Sequence, residues 1–197
     1  MSSIKASKTR LDRLSQGDIL RDVEHVEYVA EREGVVEVSR IIFPFAIVLT
    51  QDCDLEHDHV FRQSEAPSGP QDKWLLSVLL APMYNAAHVF AGEHLSGLNM
   101  YMQTIPSRPK HVLKNNETPR YHYMEFTEDV PMPPVVVDFK HYFSVNLEYL
   151  KRLSVSKFVC QVPTLFREDI SDRFAAYLSR IALPFEAIAD KAALPTE

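Results

Sequence analysis

The residues with the most chemistry to offer stand together in IVLTQDCDLEHDH, Ile47 to His59. Gln51, Asp52, Cys53, Asp54, His57 and His59 fall within nine positions. Cys53, His57 and His59 could act as soft and borderline metal ligands, with Asp52 or Asp54 as hard ones. The spacing C-x3-H-x-H is no standard zinc signature, so a resident metal is not expected. Cys53 could also be a nucleophile, but only as a thiolate, which flanking carboxylates disfavour. In a structural reading, Cys53 packs inward and Asp52 or Asp54 holds a turn. The fourth use is non-covalent, with Gln51, Asp52, Cys53 and Asp54 contacting a ligand, a partner or RNA. No cofactor is implied.

Such a cluster needs a rigid mount. The preceding IIFPFAIVLT is almost continuously apolar, as in a strand buried on both faces, with a break or bulge at Pro44. Ile19 to Ala30 predicts an earlier strand with Val26, Tyr28 and Ala30 in alternation, joined to the next by a turn at Glu31–Gly34. Residues 51–72 read as a long acidic loop, and WLLSVLLA as a core strand stopped by Pro82. Asn85 to Leu95 suggests a short helix, and the prolines of 104–120 suggest a loop. Tyr121–Phe126, Val135–Phe139 and Ser156–Val162 read as strands, and Asn146 as the cap of a helix over LEYLKRL. Apolar residues at helical spacing predict an amphipathic helix over Leu165–Leu183. Arg173 and Arg180 share one side of it, as an anion-facing stripe or as a solvated face paired with Glu168 or Asp172.

The whole chain of 197 residues is 46% hydrophobic with net charge −6, enough for one real core and unsuited to a dominant grip on nucleic acid. Its 5 glycines never fall within four positions of each other, which excludes phosphate-cradling glycine loops. Charge is uneven. Lys5, Lys8, Arg10 and Arg13 make residues 1–16 a basic arm. Arg108, Lys110, Lys114 and Arg120 lie beside Tyr121, His122 and Tyr123, so residues 105–124 could bind nucleic acid by stacking and phosphate contacts. The expected organisation is that arm, one domain over 17–183, and a tail at 184–197. The N-terminus carries no secretory leader and no stretch suits a membrane, so Cys53 and Cys160 are expected as free thiols in a cytoplasm.

The order of QGDIL, FPFAIVLTQDCD, WLLSVLLAP, VVVDFKHYFSVNLEYLKRL and FREDISDRFAAYLSRIAL resembles the MazF/PemK-like toxins. The resemblance implies an α+β chain, mainly β: a small, partly open β-barrel with inserted loops and a C-terminal amphipathic helix. LTQDCDL also resembles a segment of bacterial proteins of unassigned function, some of them neighbours of stress or phage-defence genes. The toxins use an arginine before the second core strand and a hydroxyl residue in the loop after it. Here Arg40 stands nearest the first position, and Cys53 or Asp54 takes the second. An endoribonuclease on this plan would use Arg40 for the developing phosphate charge and Asp54 or Asp52 as base. The reading preferred from the residues is a non-catalytic or accessory module that binds a protein partner or ligand through QDCD.

Overall fold

The computed structural model describes residues 3–63 and 70–180; the tail at 184–197 lies outside the described residues. The fold is α+β. Strands β1 (Asp18–Arg32), β2 (Val35–Val48), β3 (Ser77–Asn85), β4 (Tyr121–Met124), β5 (Val135–Asp138), β6 (Phe143–Asn146) and β7 (Phe158–Gln161) form one antiparallel sheet in the order β4-β5-β3-β2-β1-β7, with β6 also against β3. Helices α1 (Asp52–Gln63), α2 (Ala86–Ala91), α3 (Ser107–Lys114), α4 (Leu147–Lys157) and α5 (Thr164–Leu178) cover it.

Among the described residues no continuous ladder closes the sheet. Residues 4–7 nevertheless link its two edges through single bridges, Ile4 to Phe126 beyond β4 and Ser7 to Gln161 of β7. Ile4, Ala6 and Leu14 are buried, so the basic N-terminal segment contributes apolar side chains to the core. One sheet face buries Leu20, Val48, Leu80 and Val136 beneath α2 and α4. The other buries Ile47, Met83, Val137 and Phe139 beneath Ile170 and Phe174 of α5.

β1 and β2 join through Glu33 and Gly34, both at positive φ, the primed turn that suits the right-handed twist of a hairpin. Beyond the rungs shared with β3 and β7, this hairpin continues as a two-stranded arm. Glu27 has no partner across the ladder: Val26 faces Arg40 and Tyr28 faces Ser39. This bulge corrects the expected simple alternation. It shifts the parity of β1, so Val26 and Tyr28 point to opposite faces and Val26 shares a face with Val29.

Pro82 does not stop β3, contrary to expectation. Leu79 C=O accepts from Leu49 N–H of the segment following β2, so Pro82, three residues on, turns its nitrogen to the other edge. There β3 passes from β6, paired with Ser77–Leu80, to β5, paired with Met83–Asn85. Pro82 occupies the gap, where no ladder needs its missing N–H.

The 104–120 segment is not a loop throughout, because α3 occupies Ser107–Lys114. Pro109 lies in its first turn, where the N–H would have no intrahelical partner. The Asn146 cap forms as expected, its side chain accepting from Tyr149 N–H.

Candidate functional site

The QDCD segment is not part of a loop over 51–72. Thr50 Oγ1 accepts from Leu79 N–H at 2.7 Å and ends the β2 edge. The Gln51 carbonyl accepts from the N–H groups of Asp54 and Leu55, which opens α1 at Asp52. Asp52 and Asp54 in this first turn complement the positive end of the helix dipole.

The four side chains then part company. Asp52 turns inward and takes a paired hydrogen bond from Arg13 at 3.0 and 3.2 Å and one from Gln16 N–H at 3.1 Å. Arg167 of α5 adds a cation 3.4 Å away. Partial burial pushes the Asp52 carboxyl up, but these bonds and charges outweigh it and hold it below the usual range. Gly17, at φ +79°, completes the junction: a Cβ there would meet Val162 and Arg167 atoms at 2.6 Å. One carboxylate therefore ties the N-terminal segment, the end of β2 and α5 together. Asp52→Ala will lower the unfolding free energy by about 2 kcal/mol, the usual worth of charge-assisted hydrogen bonds; urea titration at pH 7 checks it.

Gln51, Cys53 and Asp54 are exposed, against the reading in which Cys53 packs inward. The Cys53 thiol points at Gln51 Oε1 (3.7 Å) and Asp54 Oδ1 (3.8 Å). His57 is exposed, while His59 Nε2 lies 3.6 Å from Asp12 and 3.2 Å from Gln63. Among the described residues no three His, Cys, Asp or Glu side chains converge as a metal cage. The other acidic residue of α1 that turns inward is Asp58, 1% exposed, which accepts from Arg62 and from Leu75 N–H at 2.7 Å each and pairs with Lys151 at 3.4 Å.

Arg40 lies elsewhere. It is exposed on the arm and pairs with Glu24 at 3.2 Å. Val48 lies eight positions further along β2, a rise of about 26 Å along an extended strand. The structure does not bring Arg40 to Asp52 or Asp54.

Much of the 105–124 stretch also engages other parts of the fold, while Arg108 is exposed. Arg120 forks onto buried Asp138 at 2.8 and 2.6 Å and lies over the Tyr121 ring. Lys110 and Lys114 lie over Phe90, and His122 is buried. Arg173 is neither an anion stripe nor a solvated ion pair. Its guanidinium donates to the carbonyls of Asn116, Thr118 and Tyr121, fixing the turn before β4. Arg180 lies over the Tyr177 ring and donates to its carbonyl.

Two features that no motif marks remain. One is the apolar arm. The other is a cleft of about 600 Å³ between the base of the arm, β3 and the α2 region, lined by Ile42, Phe43, Tyr84, His94 and Leu98 among others. Its residues come from four separated stretches, so no local spacing announces it. None of the QDCD residues lines it. Comparison with protein-family models, with curated proteins and with solved structures gave no match, so the functional reading rests on this geometry.

Proposed function

We propose that the chain is a non-catalytic binding module on a partly open barrel, and that the β1–β2 arm is its docking element. The partner is a protein surface that is apolar at its centre and rimmed by Lys and Arg. One observation carries this reading. On β2, Val36, Val38 and Ile42 share a face, and the Glu27 bulge brings Val26 and Val29 of β1 onto the same face, which the Arg40–Glu24 ion pair crosses near the base of the arm. All five are exposed, between 50% and 63%.

A two-stranded ribbon is marginal in water, and contiguous exposed aliphatic faces on soluble domains mark interfaces. The charge of the arm selects the partner's sign. Asp22, Glu24, Glu27, Glu31, Glu33 and Glu37 stand against Arg21, Arg32 and Arg40. Two such arms repel, which disfavours a second copy, whereas a basic rim complements them. The separation of Arg40 from Asp52 and Asp54, and the engagement of Asp52 in structural pairs, support a binding role over the ribonuclease reading.

A photo-crosslinking amino acid placed at Val36 in the full chain, expressed in its native cells, tests the proposal. The expected adduct is with a different protein, through a peptide rich in Lys or Arg. It is lost in Val29→Asp/Val38→Asp, whose circular dichroism and melting remain those of the parent. An adduct with a second copy, or no adduct, overturns it.

A further inference from the structure

We infer that the outer edge of β2 in the arm takes an extended peptide as an added antiparallel strand. The peptide alternates apolar residues with Lys or Arg and starts with a large apolar side chain that enters the cleft at the base of the arm. This rests on the arm being the docking element, and names how it docks and what it takes.

The two edges of the arm differ. Among the described residues β2 pairs with β3 only from Phe45 to Val48, so nothing pairs with the outer backbone edge of residues 35–43. The primed turn closes on Arg32 and Val35, a pair that bond each other, and alternation then turns the N–H and C=O groups of Val36, Val38 and Arg40 outward. The stretch VVEVSRIIF holds no proline and no lysine, two residues that commonly blunt a free edge. The β1 edge is blunted. Glu24 N–H donates to Tyr149 Oη at 3.0 Å, Lys157 pairs with Asp22 at 2.7 Å, and the bulge at Glu27 interrupts the strand. The open β2 edge is therefore the template for strand addition.

The two faces of that edge set the peptide's chemistry. Side chains placed opposite Val36, Val38 and Ile42 share their aliphatic face. Arg40, between Val38 and Ile42, is drawn toward Glu24 of β1, away from the open edge. The other face of β2 carries Glu37 and Ser39, and Ser39 Oγ donates to the Glu27 carboxylate at 2.7 Å. The intervening side chains of the peptide meet these acids, which selects Lys or Arg. Ile42 also lines the cleft of about 600 Å³, with Phe43, Pro44, Tyr84 and Leu98. The aliphatic face thus leads into an apolar space with room for an aromatic side chain. An antiparallel peptide, running against β2, brings its N-terminal residue to this end.

The probe is acetyl-FKVRVKV-amide, titrated into the full chain at pH 7 and followed by amide NMR and calorimetry. It should slow exchange of the Val36 and Val38 amides at least about tenfold, and bind about tenfold tighter than acetyl-FEVEVEV-amide. Replacing its Phe by Ala should weaken it about fivefold. N-methylation of its first two valines, whose N–H groups face β2, should weaken it at least about tenfold. N-methylation of its two lysines, whose N–H groups face solvent, should leave the affinity unchanged. Several results overturn the inference: no binding at about 1 mM, equal affinity for the acidic peptide or for the Ala peptide, or tolerance of the valine N-methyl groups. It is also overturned if the Val36 and Val38 amides slow with protein concentration in the absence of peptide, for a second copy then covers the edge. Binding that tolerates the valine N-methyl groups removes strand addition alone, because the adduct formed at Val36 does not depend on backbone pairing.

Discussion

Replacing Asp138 with alanine will lower the unfolding free energy by about 3–5 kcal/mol, the cost of breaking a buried pair and stranding its cation. The side chain ends β5 with no exposure at all. It accepts the forked bond from Arg120 and the N–H of Lys140, and His141 Nδ1 lies 3.0 Å away. Burial alone would push the carboxyl up, but the bonds from Arg120 and His141 and their charges bring it down to about 2. A depressed carboxyl stabilises the fold above its unfolded value, and that contribution is lost as pH falls through the folded one. The Asp138 contribution is therefore complete above about pH 4 and disappears toward pH 2, about 2.5 kcal/mol in all by linkage. Denaturant titrations of parent and variant at pH 7 and pH 3 check both statements. A loss under 1 kcal/mol at pH 7 would mean that Arg120 finds another partner.

Asp18→Asn will act in the opposite direction, and its effect will grow with pH. Asp18 is 3% exposed at the start of β1, with Oδ2 accepting from Ser15 N–H at 2.9 Å. Burial dominates here: it exceeds the help from the Ser15 N–H, the nearby Asp52 charge adds to it, and the pKa rises from 3.8 to about 7. The folded state therefore holds a proton that the unfolded chain releases between about pH 4 and pH 7. Stability is penalised as pH rises through that window. Asparagine can still accept from Ser15 without ionising. Relative to the parent, Asp18→Asn should gain about 4 kcal/mol between pH 4 and pH 7.5.

The parent alone will not display this slope. His122, 1% exposed, is pushed by burial and by the Arg173 charge down to about 3. It stays neutral in the fold while the unfolded chain takes up a proton below about pH 6.5, so its stabilising contribution is lost as pH falls. The two titrations oppose each other between about pH 4 and 6.5 and leave the parent nearly flat there. Removing Asp18 exposes the rise due to His122. A difference between variant and parent that does not change with pH would sink the prediction.

The elements legible in the sequence are those whose signals are local. The Glu33-Gly34 turn, the apolar run into Val48, the Asn146 cap and the α5 periodicity each need only neighbouring residues to act. Helix α1 was hidden because its inward face holds Leu55 and the charged Asp58 rather than an apolar stripe. Its polar inward positions gain their partners from Arg13, Lys151 and the backbone of Leu75, far away in sequence. Helix α3 was hidden because a proline near an N-terminus and a proline in a loop look alike until the neighbouring turns are placed. For the candidate site, composition picks out QDCD as a dense polar group. It did not distinguish Asp52, consumed by Arg13, from Cys53 and Asp54, which face solvent.

By itself the sequence determined an α+β chain with a long β1–β2 hairpin, a capped α4 and a closing amphipathic helix. Backbone preference and hydrophobic period act over a few residues, and those residues are contiguous. Only the tertiary structure decided which charges are spent inside the fold, that Val26 and Val29 join Val36, Val38 and Ile42 on one face of the arm, and that Tyr84 and His94 line one cleft. Such outcomes depend on bulge parity and on contacts between distant segments, where a single displaced residue reverses which side chain meets solvent.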